Sequence, residues 1–420
     1  MASGADIRKG PVGPLIHRCS ALRCQATGPR MQRCTRCNVA RYCGPRHKYF
    51  YRSGHWRICR NIVNARVRFN EEHYRLRWAQ LPANAFETNA GYFWEVESTR
   101  PYMCARLTLV KDVLLPLGTL DSVQEAHDHL RDMLRLSRMD TMGVRYVLPF
   151  IMLRLDIDQE CYDFVKWWAT NGADAGWGDL TLPHLDIRGA DASEQPEFLL
   201  GEDTPLSFVV AVLLLKLKLL IDVLNTKVTR KVLSRRSLPI KLRAQIERAV
   251  VRSPLSANLC SRSYKTLSGI EQWLLPQVRK LGINITERDP RFMSDLFDPD
   301  EALAATAATL SGNPLGCANG SDGVILHSYP AWWSTDGVLG LLASARDLAA
   351  RSSKPAAEDL LASQGHRENP LSHRIAEELQ AKHGLSYLFE YLGYVVRDAT
   401  YLGPWAERPS EVTSRLMAEA

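Results

Sequence analysis

Six of the ten cysteines in this 420-residue sequence lie close together near its N-terminus, among two histidines. Thiolate sulfur and imidazole nitrogen are the donors that Zn²⁺ prefers, and a structural zinc site takes four of them in a closed tetrahedron. Eight donors therefore predict two structural zinc ions. The donors form four pairs, which are Cys19/Cys24, Cys34/Cys37, Cys43/His47 and His55/Cys59.

The spacing within the pairs suits a shared metal ion. A Cys-x2-Cys turn, as at Cys34 and Cys37, lets both thiolates face one ion. Three intervening residues in helical conformation, as between His55 and Cys59, place both members one turn apart on the same face. The alternative is chance clustering of buried cysteines and solvated histidines, but paired Cys/His spacing favours metal.

This segment resembles a MYND-type zinc finger, a small protein-interaction module. The resemblance is carried by Cys34-Thr-Arg-Cys37, Arg41-Tyr42-Cys43 and His55-Trp56-Arg57-Ile58-Cys59. It implies interleaved ligand sets, with Cys19, Cys24, Cys43 and His47 on one zinc and Cys34, Cys37, His55 and Cys59 on the other.

Two positions depart from the family pattern. Four residues separate Cys19 from Cys24 where two are usual, and His47 stands where the family usually has cysteine. Histidine is a competent zinc ligand, so the second departure changes little. The first leaves His17 open as an alternative to Cys19.

The resemblance also implies a function. MYND fingers typically bind short proline-containing peptides, and Gln32, Tyr42 and Trp56 are the candidate contact residues by position. We therefore expect a non-enzymatic adaptor whose two Zn²⁺ ions are structural and whose partners are proteins with such peptides. Some MYND fingers belong to SET-domain lysine methyltransferases, but the Asn-His-x-Cys segment and the late Asp-Tyr motif of those enzymes are absent here.

Positive charge is concentrated at the N-terminal end. Residues 1–80 contain 17 Lys and Arg against 3 Asp and Glu, whereas the whole chain has 53 against 46. Such a surface can bind nucleic acid or acidic protein, and it also offsets the charge of zinc-bound thiolates without any partner. A nucleic-acid-associated transcriptional regulator is therefore an alternative, but it is not favoured, because the segment lacks the ββα spacing of DNA-reading fingers.

The rest of the composition is that of a folded protein in a reducing compartment. The other cysteines are scattered without pairing, which is typical of small buried apolar residues in an intracellular protein, nuclear or cytoplasmic. Residues 1–16 contain no apolar core of a signal peptide. The stretch from Phe208 to Leu224 is the best membrane candidate, but Lys216, Lys218 and Asp222 interrupt it, so we expect a buried helix and no membrane association.

Beyond the finger, the sequence predicts a mainly α fold with an all-helical body, either a TPR-like repeat or a bundle. Ala126 and Cys161 occupy equivalent places 35 residues apart, close to the ~34-residue tetratricopeptide period. The pattern Leu107…Gly118…Ala126…Leu130…Leu134 resembles a degenerate unit of that family. A generic helical bundle is an equally good interpretation.

Within this body, Gly118 and Thr119 are expected to end one helix, and Asp121 and Ser122 to cap the next. Pro149 is expected to kink a further helix or to mark its start. The predicted domains are a disordered tail (1–16), the finger (17–60), a linker helix and connection (61–98), TPR-like helical pairs (99–175), a loop insertion (176–204), and a helical domain (205–420) with mobile loops near 312–323 and 352–369.

Overall fold

The computed structural model describes residues 15–21, 24–79, 82–171, 183–235, 237–309, 321–352 and 370–399. This part of the chain contains seventeen α-helices and one two-stranded sheet, which confirms the predicted mainly α fold with the cysteine-rich segment ahead of a helical body. The predicted tail up to residue 14 and the loops at 312–320 and 353–369 lie outside the described residues.

The cysteine-rich segment is built on a minimal hairpin. Strands β1 (Gln32–Arg33) and β2 (Arg41–Tyr42) pair antiparallel, with Gln32 opposite Tyr42. Asn38 takes the left-handed conformation (φ 56°) in the connecting turn, and its amide donates to the carbonyl of Cys34. Asparagine tolerates this conformation better than most residues, so the turn can close tightly and bring Cys34 and Cys37 together.

Two helices follow the hairpin without a flexible linker. Helix α1 (Pro45–Phe50) begins with proline in its first turn, and helix α2 (Arg52–Arg77) starts two residues after α1 ends. The predicted linker helix therefore begins about ten residues earlier than expected, inside the finger. At 26 residues, α2 is about 39 Å long. It connects the finger's small core, around Ile62, to the main core, which includes Leu76.

The body consists of helices of very different lengths around one long buried helix, α9 (Leu206–Leu233). Its α-helices are α3 (Ala85–Thr88), α4 (Arg100–Thr108), α5 (Leu115–Leu117), α6 (Leu120–Leu136), α7 (Leu148–Arg154), α8 (Asp158–Thr170), α9 (Leu206–Leu233), α10 (Ile240–Ala249), α11 (Tyr264–Arg288), α12 (Phe292–Phe297), α13 (Asp300–Thr309), α14 (Ser321–Ser334), α15 (Val338–Ser352), α16 (Pro370–Ser386) and α17 (Leu388–Arg397). A π-helical segment, Leu109–Leu114, joins α4 to α5.

The helix boundaries in the first half of the body follow local signals, with one correction. Gly118 ends α5 in the left-handed conformation (φ 60°), as expected. Thr119 rather than Asp121 caps α6, because the Thr119 hydroxyl accepts from the Ser122 amide while the Ser122 hydroxyl accepts from the Thr119 amide. Pro149 lies in the first turn of α7 and so marks a helix start.

Sequential packing of α6, α7 and α8 buries the small residues that suggested a repeat. Ala126 on α6 and Cys161 on α8 are both fully buried in the main core. This burial is common to a TPR-like repeat and to a bundle, so the repeat assignment stays a prediction. The predicted insertion is described from residue 183 onward, where Asp163 on α8 accepts hydrogen bonds from the amides of Gly189 and Ala190.

Helix α9 lies at the centre of the core. Every residue from Leu206 to Thr226 is buried, and α9 packs most extensively against α11. Lys216 donates to the carbonyls of Ala192 and Glu194 at 2.9 Å, so its ammonium group is satisfied inside the protein. No α-helix in the described part of the chain has both the length and the apolar character required to cross a membrane.

The C-terminal helices close the body on its far side. Helix α15 packs against both α16 and α17, and α17 also contacts α11. The contact with α11 is close at Gly282, where a β-carbon would lie 2.3 Å from the Phe389 ring. Only glycine leaves room for that ring, so Gly282 fixes how near α11 and α17 approach.

Candidate metal centre

The first group of metal-binding side chains is assembled from three separate segments. Cys19 and Cys24 come from the coil before β1, Cys43 follows β2 directly, and His47 projects from α1. Cys19 Sγ lies 3.5 Å from His47 Nδ1, Cys24 Sγ lies 3.8 Å from Cys43 Sγ, and Cys43 Sγ lies 3.2 Å from His47 Nδ1. Cys43 precedes the helix instead of lying on it, but the two side chains still meet.

The second group joins the hairpin to α2. Cys34 and Cys37 come from the turn after β1, whereas His55 and Cys59 lie one turn apart on α2. Cys34 Sγ is 3.8 Å from Cys59 Sγ, and Cys37 Sγ is 3.3 Å from His55 Nε2. The sequence order of the pairs is therefore interleaved between the two groups, as the family resemblance implied.

These separations fit a tetrahedral zinc ion. With Zn–S near 2.3 Å and Zn–N near 2.0–2.1 Å, tetrahedral angles place two sulfurs about 3.8 Å apart and sulfur and nitrogen about 3.6 Å apart. In each group the four donor atoms all lie within 4.8 Å of one another. The sulfur–sulfur separations of 3.8 Å also exceed any disulfide bond. Each group of three cysteines and one histidine could hold one zinc ion.

The pKa values of the thiols in the second group also favour a bound cation. Burial alone would raise the pKa of Cys34, but the amides of Cys37 and Arg36 and the His55 side chain bring it below the usual value. Burial and the nearby Cys37 and Cys34 raise the pKa of Cys59 to about 12. The protein's own groups thus favour one thiolate and oppose a second, so a bound metal would supply the missing positive charge.

The positions of His17 and Cys19 favour Cys19 as the candidate donor. Cys19 is buried and its sulfur belongs to the first group. His17 Nδ1 lies 3.7 Å from Asp121 Oδ2 instead. His17 therefore faces the body, and the longer spacing between Cys19 and Cys24 is accommodated within the coil.

Two carboxylates of α6 hold the finger against the body. The Arg41 guanidinium donates to both oxygens of Asp121, at 2.5 and 2.7 Å, and Arg33 adds a third contact at 3.0 Å. One turn further along α6, Glu125 accepts from Arg66, whose other nitrogen donates to the Cys37 carbonyl at 2.6 Å. Part of the N-terminal positive charge is therefore neutralised by ion pairs within the molecule.

The sequence analysis did not predict the ion pairs of Asp121 and Glu125 with these arginines. It predicts only a helix-capping role for Asp121 and assigns no role to Glu125. The available signal was the pair of acidic residues at positions i and i+4 of a predicted helix, in a chain whose first 80 residues carry excess positive charge.

The predicted peptide contacts differ in accessibility. Gln32 and Trp56 are exposed, and the Arg60 guanidinium lies over the Trp56 ring at 5.4 Å. Tyr42 is only 2 % exposed and packs edge-on against the His55 ring, so its part in binding would be to support the surface from beneath. Tyr49 and Phe50 on α1 are also strongly exposed, which the sequence analysis did not anticipate.

Comparisons with known proteins do not extend the resemblance. No protein-family model matches the chain, and no curated protein or solved structure matches it. The likeness to a MYND finger consequently rests on the motifs quoted above and on the compatible geometry of the two groups.

Proposed function

We propose that the chain is a non-enzymatic interaction protein in which two structural zinc ions hold a MYND-like finger that binds short, extended, proline-containing segments of partner proteins. The carrying observation is the gathering of eight donors into two groups of four, with the donor atoms of each group within 4.8 Å of one another. Four protein ligands per ion leave no open coordination position, which is typical of structural and not of catalytic zinc.

The hairpin supports this proposal because its two edges differ. The outer side of β2 is occupied, since the Ser20 amide donates to the Arg41 carbonyl at 2.7 Å. Directly after β1, the Cys34 amide donates to the Ala40 carbonyl across the hairpin. Backbone groups alternate along a strand, so the N–H and C=O of Arg33 point away from β2. An extended peptide could add to this edge and hydrogen-bond with those groups.

The exposed side chains of the finger suit a proline-containing ligand. Both β1 residues are exposed, and the finger also exposes the rings of Trp56, Tyr49 and Phe50. Aromatic side chains are the usual contact surface for proline, and a proline-containing segment is already partly extended, so docking costs little conformational entropy.

Zinc content tests the metal part of the proposal. We expect two zinc ions per purified chain, and loss of at least one in Cys37→Ala, because Cys37 is a buried donor of the second group. Cys104→Ala is the matched control, since Cys104 is exposed and belongs to neither group. Elemental analysis of the three proteins decides the matter; a metal-free intact chain contradicts the proposal.

Peptide selection tests the binding part. Twelve-residue peptides selected on the intact chain should be enriched in proline, and the tightest should bind Arg33→Pro at least about tenfold more weakly than Arg33→Ala. Both variants lack the Arg33 side chain, but only proline lacks the outward N–H. Both should keep two zinc ions. Equal affinity for the two variants would rule out binding along β1.

A further inference from the structure

Exposed apolar side chains are concentrated along one line of α2. Trp56, Val67 and Tyr74 of α2, together with Trp78 directly after it, are 49, 47, 66 and 75 % exposed, and Val63 is half-buried between them. Successive members are seven, four, seven and four residues apart, so at 100° per residue they fall within about 60° of one another around the helix. We call these five residues the α2 stripe.

Helix α2 carries a second apolar line, which is already in use. Ile62, Phe69 and Leu76 recur every seven residues and pack against the finger and body cores. At 100° per residue, this line lies roughly 150° around the helix from the α2 stripe. A surface helix normally has one apolar face, so an exposed second face of this length indicates an interaction surface.

The charges beside the α2 stripe restrict its partner. Six arginines of α2 are exposed, whereas its acidic residues are only Glu71 and Glu72, and Glu72 pairs with Arg75 at 2.6 Å. Two copies of this surface would repel each other. An acidic surface would instead be attracted. The six exposed arginines are Arg52, Arg57, Arg60, Arg68, Arg75 and Arg77.

We propose that the α2 stripe is the docking site for an acidic amphipathic helix of a partner protein. The straight apolar stripe supplies the surface that the apolar face of a helix needs, and the arginines supply the complementary charge. A basic surface with aromatic side chains can also bind single-stranded nucleic acid. However, only Tyr74 and Trp78 are close enough to stack successive bases, because Trp56 lies about 27 Å from Tyr74 along the axis.

This inference does not depend on the proposed peptide binding by the finger. Val67, Tyr74 and Trp78 lie beyond the last zinc-binding residue, Cys59, and far from β1 in sequence. A chain that fails to bind proline-containing peptides could still bind a helix through the α2 stripe. A negative result for peptide binding would therefore leave the helix-docking proposal open, and the reverse also holds.

Designed helical peptides provide a direct test with the full zinc-loaded chain. The acidic probe has 28 residues, with leucine at the first and fourth positions of each seven-residue repeat. Glutamate stands at the flanking positions, where charge repulsion prevents the probe from pairing with itself. The basic probe has lysine in place of glutamate. We expect fluorescence anisotropy to show binding of the acidic probe, weaker at high salt. The basic probe should bind at least about a hundredfold more weakly.

Matched variants locate the binding. Val67→Ser/Tyr74→Ser/Trp78→Ser should weaken acidic-probe binding at least about tenfold. Ile240→Ser/Leu242→Ser, which removes exposed apolar side chains from α10, should leave binding unchanged. Zinc content and helical circular dichroism should be the same in all three proteins, because every substituted side chain is exposed.

Three results would overturn the proposal. These are no binding of the acidic probe, equal binding of the basic probe, and full binding by the triple stripe variant. A 20-nucleotide single-stranded RNA and vesicles containing phosphatidylserine are measured in parallel. Stripe-dependent binding of either one, without binding of the acidic probe, would reassign the surface to nucleic acid or to membrane.

Discussion

At the scale of single residues, Asp121 is the most connected point between finger and body. Its carboxylate accepts from Arg41 and Arg33 in the first turn of α6. The Arg41 side chain is almost completely buried, and its hydrogen bonds to Asp121 raise the pKa of the guanidinium. Removing the acid would leave a buried positive charge without its partner, which costs more than the pair itself contributes.

Asp121→Ala should therefore lower the free energy of unfolding by about 3 kcal/mol, measured by urea denaturation. Asp128→Ala on the same helix is the control, because the Asp128 side chain is 67 % exposed, against 14 % for Asp121, and should cost less than about 0.5 kcal/mol. In the double variant Arg41→Met/Asp121→Leu, much of the loss should be recovered, since no charge is left buried. Equal losses for Asp121 and Asp128 would contradict this account.

The candidate zinc donors could be predicted from the sequence, whereas the residues that pair with Asp121 and Glu125 could not. Metal-donor chemistry depends on residue type and spacing, so eight paired cysteines and histidines can be recognised as candidate ligands before the fold is known. The burial of Tyr42 and the pairing of Arg41 with Asp121 depend on where the body lies. Arg41 and Asp121 are 80 residues apart, so no local sequence pattern indicates that they pair.

At the scale of elements, α9 buries charges along with its apolar residues. Asp222 is fully buried and accepts hydrogen bonds from the amides of Arg252 and Ser253 at 3.0 and 2.9 Å. One turn earlier, the Lys218 ammonium contacts Asp158, which also accepts from the Ser253 hydroxyl. These groups tie α8, α9 and the segment after α10 together.

Stability should consequently depend on pH through Asp222. Burial raises its pKa from 3.8 to about 6. Between about pH 4 and pH 6 the folded protein keeps this proton while the unfolded chain has released it, so stability falls as pH rises through that window. The full effect is about 3 kcal/mol, from roughly two pKa units.

Asp222→Asn cannot titrate, so it isolates this contribution. The stability of the natural protein relative to the variant should fall between pH 4 and pH 6 and stay constant between pH 7 and pH 8, in urea unfolding at each pH. Zinc loss in acid affects both proteins equally and cancels in the difference. A difference that is the same at every pH would show that Asp222 is not the titrating group.

The sequence predicted most elements of this part of the fold because their signals are local. The apolar run interrupted by Lys216, Lys218 and Asp222 was correctly interpreted as a buried helix. Of the two residues expected to cap α6, Ser122 does take part in the capping box, but the N-cap is Thr119 and not Asp121. All three are good capping residues, and only the backbone geometry decides among them.

At the scale of the whole molecule, the finger is not an appendage. Helix α2 belongs to both parts, with two candidate zinc donors, His55 and Cys59, near its start and Leu76 of the main core near its end. Val113 and Leu117 of the body pack against the finger's core. These contacts predict that the stability of the body is partly coupled to zinc binding by the finger.

Zinc removal should therefore affect more than the finger. After chelation, hydrogen exchange should accelerate at least about a hundredfold in residues 17–60 and rise measurably in the first turn of α6, where Asp121 loses its partners. Amides of α9 should remain protected, because that helix is buried within the body. Adding zinc back is the control and should restore protection. Faster exchange confined to residues 17–60 would show that the two parts are independent.

The π-helical segment Leu109–Leu114 has a consequence for how this chain can vary in length. A π turn contains about one residue more than an α turn, and Leu117, which touches the finger, follows it directly. Deleting one residue here would turn the segment into regular α-helix and leave the orientation of everything that follows nearly unchanged, because the π turn already accommodates one extra residue. Leu117 would then keep its contact with the finger. Over evolutionary time, a one-residue deletion should accordingly be better tolerated in this stretch than in the regular α-helices, where it would rotate everything that follows by about 100°.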